Sequence, residues 1–175
     1  MDFGPTHTGG AGILNQGQLS ISGSTIAENF VFNSAVDYDL AAGGGIENHG
    51  TVSISNSAVR DNQVGDAWDA IGAGLFNRNT ATLQDSVISG NVAFGRFAAG
   101  GGVKSSGKLI VRDSHFYGNQ IIGDDYKYGS AIDSFGEAII SGRTFTSNSA
   151  KGGYYSSWLG DTIVNGAYST MTIVN

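Results

Sequence analysis

The sequence predicts an all-β fold, a right-handed single-stranded parallel β-helix of about six rungs with three short strands each, and three observations carry that expectation. One unit recurs in register: its starts at Gly12, Gly45, Gly74, Gly102 and Ala131 lie 33, 29, 28 and 29 residues apart, and a partial copy begins near Ile163. Within each unit, apolar residues alternate with polar ones in three short segments, the period of strands with one buried face. Glycine fills 28 of 175 positions against one proline and no cysteine, so turns are frequent, and collagen, coiled-coil and disulfide scaffolds are excluded.

The first strand of each rung carries Ile13, Ile46, Leu75, Val103 and Ile132 at its inward position. The second carries Ile21, Ile54, Leu83, Val111 and Ile140; the third Ile26, Val59, Ile88, Phe116 and Phe145. One rung cannot bury such a face alone, whereas rungs stacked about 4.8 Å apart share a continuous core. Every rung closes on asparagine, at Asn29, Asn62, Asn91, Asn119 and Asn148. This column reads as a structural ladder that satisfies turn backbone groups and chains side-chain amides from rung to rung. Asn15, Asn48 and Asn77, continued by Ser105 and Ser134, form a second inward polar column of the same kind.

The run Gly43-Gly44-Gly45-Ile46-Glu47-Asn48-His49-Gly50, followed by Ser53-Ile54-Ser55-Asn56-Ser57 and the closing Asn62, resembles the right-handed β-helix repeats of the pectin-lyase-like superfamily. It is most similar to the Gly-Gly-[Ala/Gly]-Ile and Phe-x-x-Asn repeats of surface-exposed and polymorphic outer-membrane adhesins. The likeness covers nearly the whole chain and implies the solenoid fold together with a secreted or cell-surface setting. It implies no single activity, because this superfold hosts lyases, hydrolases, epimerases, tailspikes and adhesins. The paired aspartates of polygalacturonases, the calcium cluster of pectate lyases and the Asp-Pro-His-Glu motif of alginate epimerases have no counterparts at matching places.

A net charge of −6 with no basic run opposes binding to a phosphate backbone, which excludes nucleic acid as the expected partner. No apolar stretch reaches the length of a membrane span, and the first residues lack the basic and apolar regions of a signal peptide. Residues 1–175 read as one domain, a segment of a longer solenoid, because the rung begun at Ile163 lacks its third strand and neither end carries a polar cap. Uncapped ends also raise end-to-end self-association into a fibre.

Chemistry is expected where the repeat varies. The stretches between each closing Asn and the next Gly-rich start read as loops on one edge, and they carry Tyr38, Trp68, Phe97, Tyr126, Tyr128, Tyr154, Tyr155 and Trp158 as candidate binding residues. Aromatic faces beside carboxylates and amides stack sugar rings and hydrogen-bond their hydroxyls; the alternative is that these rings pack on one another and on the solenoid. No organic cofactor is expected, while Asp37 with Asp39, Asp66 with Asp69, and Asp124 with Asp125 offer hard oxygen ligands for calcium.

The outward first-strand columns are Leu14, Glu47, Phe76, Lys104, Asp133 and Gln16, His49, Arg78, Ser106, Phe135. Glu47, His49, Arg78, Lys104 and Asp133 would serve uronate chemistry, cations neutralising a sugar carboxylate while a base takes the adjacent proton. The simpler reading pairs Glu47 with Lys104 or Arg78 across neighbouring strands. His7 and His115 read as isolated surface residues. The leading expectation is a surface binding or adhesion module for polysaccharide or a surface protein; the alternatives are a polysaccharide lyase or hydrolase, and a fibre-forming solenoid.

Overall fold

The computed structural model describes residues 7–33, 39–152, 159–160 and 162–174. Among them the chain winds as a parallel β-solenoid of about five turns with three or four strands per turn, without helix. No helix there is long and apolar enough to cross a membrane.

Three sheets follow the alternation in the sequence. The first runs from Ile13–Asn15 through Ile46–Asn48, Leu75–Asn77, Val103–Ser105 and Ile132–Ser134 to Ile163–Asn165. The second stacks five-residue strands from Gln18–Ser22 to Thr170–Val174, and the third stacks three-residue strands from Thr25–Ala27 to Thr144–Thr146. The expected inward columns are the observed registers: Ile46 pairs with Leu75, Ile54 with Leu83, Val59 with Ile88 and Phe116 with Phe145. Their side chains form one continuous core from Ile21 to Ile140.

The asparagine ladder is present. Side-chain amides donate from Asn29 to Asn62, Asn62 to Asn91, Asn91 to Asn119 and Asn119 to Asn148 at 2.8, 3.0, 2.9 and 2.9 Å. Each of Asn62, Asn91, Asn119 and Asn148 also donates to a carbonyl of the rung before, so the column closes the turn on both sides. The left-handed conformation belongs not to these asparagines but to the residues preceding them, Glu28, Asp61, Gly90, Gly118 and Ser147. The second column repeats the device, Asn15 donating to Asn48, Asn48 to Asn77, and Asn77 to the Ser105 hydroxyl. A third ladder was not read from the sequence: the Ser57, Ser86 and Ser114 hydroxyls accept from the backbone N–H groups of Ser24, Ser57 and Ser86.

The stretches expected as loops are corrected by a fourth parallel sheet. It contains His7–Gly9, Leu40–Ala42, Gln63–Ile71, Val92–Ala99, Gln120–Tyr128 and Ser149–Lys151, with Phe30–Phe32 and Leu159–Gly160 paired at its margins. A bulge crosses its middle. Residues 65–69 and 122–126 each contain one residue more than 94–97 between the same two register pairs. Asp66, in the left-handed region, is the extra residue in its strand. Behind this sheet lies a smaller second core of Val31, Ala41, Val64, Ala67, Ala70, Ala73, Ala93, Ala98 and Ile121.

The chain passes from the fourth sheet into the first through Gly43, Gly72, Gly100 and Gly129, all with φ between 58 and 61°. These left-handed turns disfavour any Cβ, and the space a Cβ would fill already holds the backbone or Cβ of Glu47, Phe76 and Lys104 in the first three. The turn therefore folds against the outer face of the first sheet, which makes that face an inside corner.

Candidate functional site

The inside corner changes what an outward position means. Glu47, Phe76 and Asp133 point away from the solenoid core, yet they are 2%, 3% and 0% exposed because the fourth sheet and its glycine turns cover them. The predicted columns hold: Glu47 pairs with Phe76, Phe76 with Lys104 and Lys104 with Asp133. The five candidate catalytic residues nevertheless form two clusters, since Phe76 stands between Glu47 and Lys104.

In the first cluster Glu47 Oε1 lies 2.8 Å from His49 Nε2, 3.0 Å from His7 Nε2 and 3.5 Å from Arg78 Nε. The ion pair expected with Arg78 is present; the one expected with Lys104 is not. His7, read from the sequence as isolated, is corrected to a partner of Glu47, because its strand pairs with Leu40–Ala42 beside the corner. Gly9 leaves room for the carboxylate: a Cβ there would stand 1.9 Å from Glu47 Oε2. The Arg78 guanidinium rests over the Phe76 ring at 4.5 Å.

In the second cluster Lys104 Nζ is 2.5 Å from Asp133 Oδ2 and 3.8 Å from the centre of the Phe135 ring. Burial pushes the Lys104 ammonium below its ordinary range, against the pull of Asp133 and Asp69. The same burial raises the Asp133 carboxyl, opposed by Lys104. Asp69 too is raised by burial and opposed by Lys104. Tyr128 is raised by burial, then by Tyr126 and Asp133. Asp69 and Tyr128, read from the sequence as a calcium ligand and a sugar platform, therefore belong electrostatically to the Lys104–Asp133 pair.

The remaining aromatics stand on the outer face of the fourth sheet. Trp68 and Phe97 stack at 5.8 Å between centroids, Phe97 and Tyr126 at 5.0 Å, Tyr126 and Tyr128 at 6.4 Å. Their faces are turned toward each other, so this ladder offers ring edges more than ring faces to solvent. Arg96 lies over Trp68 at 4.0 Å and pairs with Asp125. A second aromatic group, Phe30, Phe32 and Phe94, shares the outer face, with Phe30 and Phe32 about half exposed. The Phe94 ring occupies the space above Gly65.

Between the two groups an open groove of about 400 Å³ is lined by Asp66, Ala67, Trp68, Phe94, Gly95, Arg96, Ile122 and Asp124. Ile122 carries no mark in the sequence; the strand register, which aligns it with Phe94, brings it to the groove. Asp37, Tyr38, Tyr154, Tyr155 and Trp158 lie outside the described residues. Among the described residues no group of three or more His, Cys, Asp or Glu side chains is placed to hold a metal ion. Of the calcium pairs, Asp125 is engaged by Arg96, and the Lys104 charge pulls the Asp69 carboxyl down against its burial. His115 is exposed and contacts the Thr144 hydroxyl. Comparison of the chain with family models, curated proteins and solved structures returns no match.

Proposed function

We propose that this solenoid is a secreted or cell-surface binding module and that the groove on its fourth sheet receives a polysaccharide chain running along the solenoid axis. The observation that carries the reading is the groove's composition. Phe94, Trp68 and Ile122 supply apolar surface across three successive rungs, while Asp66, Asp124 and Arg96 supply polar groups at the same level. An apolar floor with a few convergent polar groups suits a sugar chain, whose rings present apolar C–H faces and hydroxyl edges. The rungs span about 10 Å, so an extended chain meets a different set of these groups at each rung. The likeness of the repeat to adhesin repeats is consistent with this setting.

The test is glycan-array binding of the wild type against Phe94→Ala and Asp124→Asn. Loss of binding in both, with unchanged circular dichroism, supports the groove; retained binding in both sinks it. A second reading, a polysaccharide lyase or hydrolase, is favoured by one observation, the buried Glu47 carboxylate held by His7, His49 and Arg78. New unsaturated or reducing ends after incubation with acidic polysaccharides, abolished by Glu47→Gln, would replace the first reading with this one.

A further inference from the structure

We propose that Lys104 and Asp133 become joined by an isopeptide bond between Lys104 Nζ and Asp133 Cγ, so that rungs four and five are covalently stapled at the inside corner. Three observations converge. The reacting groups touch, Nζ lying 2.5 Å from Oδ2. Asp133 is completely buried and its Oδ1 has no hydrogen-bond partner, so the carboxylate is poorly supported as an anion. The strand register sets Lys104 directly opposite Asp133, and the Phe135 ring lies against the amine.

The step balances without oxidant or co-reactant. Transfer of one proton from Nζ to the Asp133 carboxylate turns the ion pair into a neutral amine and a neutral acid, the forms that burial favours for both. The amine lone pair attacks Cγ, forming the N–C bond. The nitrogen then gives up one proton, the departing hydroxyl gains one, the C–O bond breaks and one water leaves. Groups held in contact by a rigid sheet react as if at very high concentration, about 10⁵ M or more for well-oriented pairs, which lets a reaction sluggish in water proceed. An internal control lies alongside: Lys108 and Glu137 pair across the same two rungs at 3.0 Å, but both are solvated, and full-mass, separable peptides are expected there.

Intact-mass spectrometry of the purified wild-type chain tests the proposal without any variant. The expected mass is lower than that of the sequence by one water. Trypsin is expected to yield residues 97–108, uncut at Lys104, joined to residues 128–143. Lys104→Arg and Asp133→Ala are expected at full sequence mass. Asp133→Asn is expected to cross-link with loss of ammonia instead of water. A wild-type chain at full mass, with separate tryptic peptides after prolonged incubation, overturns the proposal.

Discussion

The three-strand core and the fourth sheet are built from the same turns of chain by opposite means. In the core, strand lengths are constant at three or five residues, and the columns are filled mostly by large aliphatic and aromatic side chains, fully buried in the middle rungs. Described strands of the fourth sheet run from two to nine residues, its inward face is mostly alanine, and its outer face gathers aromatics and charges. Stacking forces both regions to keep one rise per rung, but only the core must also keep one shape. The fourth sheet is free to vary because the ladders beside it hold the spacing, and its outer face is where the aromatic and charged side chains gather.

The comparison breaks most visibly at a ladder. Asn91 accepts from the backbone and side chain of Asn62 and donates to Val59 O and Asn119 Oδ1. Asn91→Leu leaves several buried groups unpaired at about 1–3 kcal/mol each, so urea denaturation is expected to show a loss of about 4 kcal/mol or more. Leu83→Ala in the three-strand core is expected to cost about 3 kcal/mol in the same measurement.

Ala98→Leu makes the opposite change in the fourth sheet and is expected to cost about 1–3 kcal/mol by overpacking. Hydrogen exchange should then quicken in residues 92–99 and 120–128 and stay unchanged in 80–84. Equal acceleration in all three would mean that the two cores are one cooperative unit.

Two electrostatic changes sharpen the contrast with smaller effects. Burial raises the Asp69 carboxyl, so its contribution is fully present below the ordinary carboxylate value of 3.8 and is lost as pH rises through the folded value. Asp69→Asn, made in a Lys104→Arg background, is therefore expected to stabilise at neutral pH by no more than about 0.5 kcal/mol after solvent screening, and to be neutral in thermal melts below that value. Lys108→Ala removes a solvated cross-rung pair and is expected to shift stability by less than about 0.5 kcal/mol.

The same contrast explains what the sequence discloses. Ile46, Ile54 and Val59 sit in strict alternation with polar neighbours, so the three core strands and both Asn columns are legible from the spacing of residues alone. In the fourth sheet Val64, Ala67 and Ala70 face inward three residues apart, and Ala93 and Ala98 five apart, because bulges shift the phase. A period-2 reading finds loops there. Candidate site residues are legible as columns, but their burial is not: nothing in Glu47 or Asp133 announces that Gly43 and Gly129 fold a turn over them. His7 stays hidden for the same reason, since its strand joins the sheet whose phase the bulges disguise.

The most direct test of the division between scaffold and recognition surface is hydrogen–deuterium exchange of the wild-type chain with and without a polysaccharide identified on the array. Protection is expected in residues 64–69, 92–97 and 120–126, with 51–55, 80–84 and 108–112 unaltered. Protection confined to residues 46–49 and 75–78 would move the site to the Glu47 corner and contradict the account.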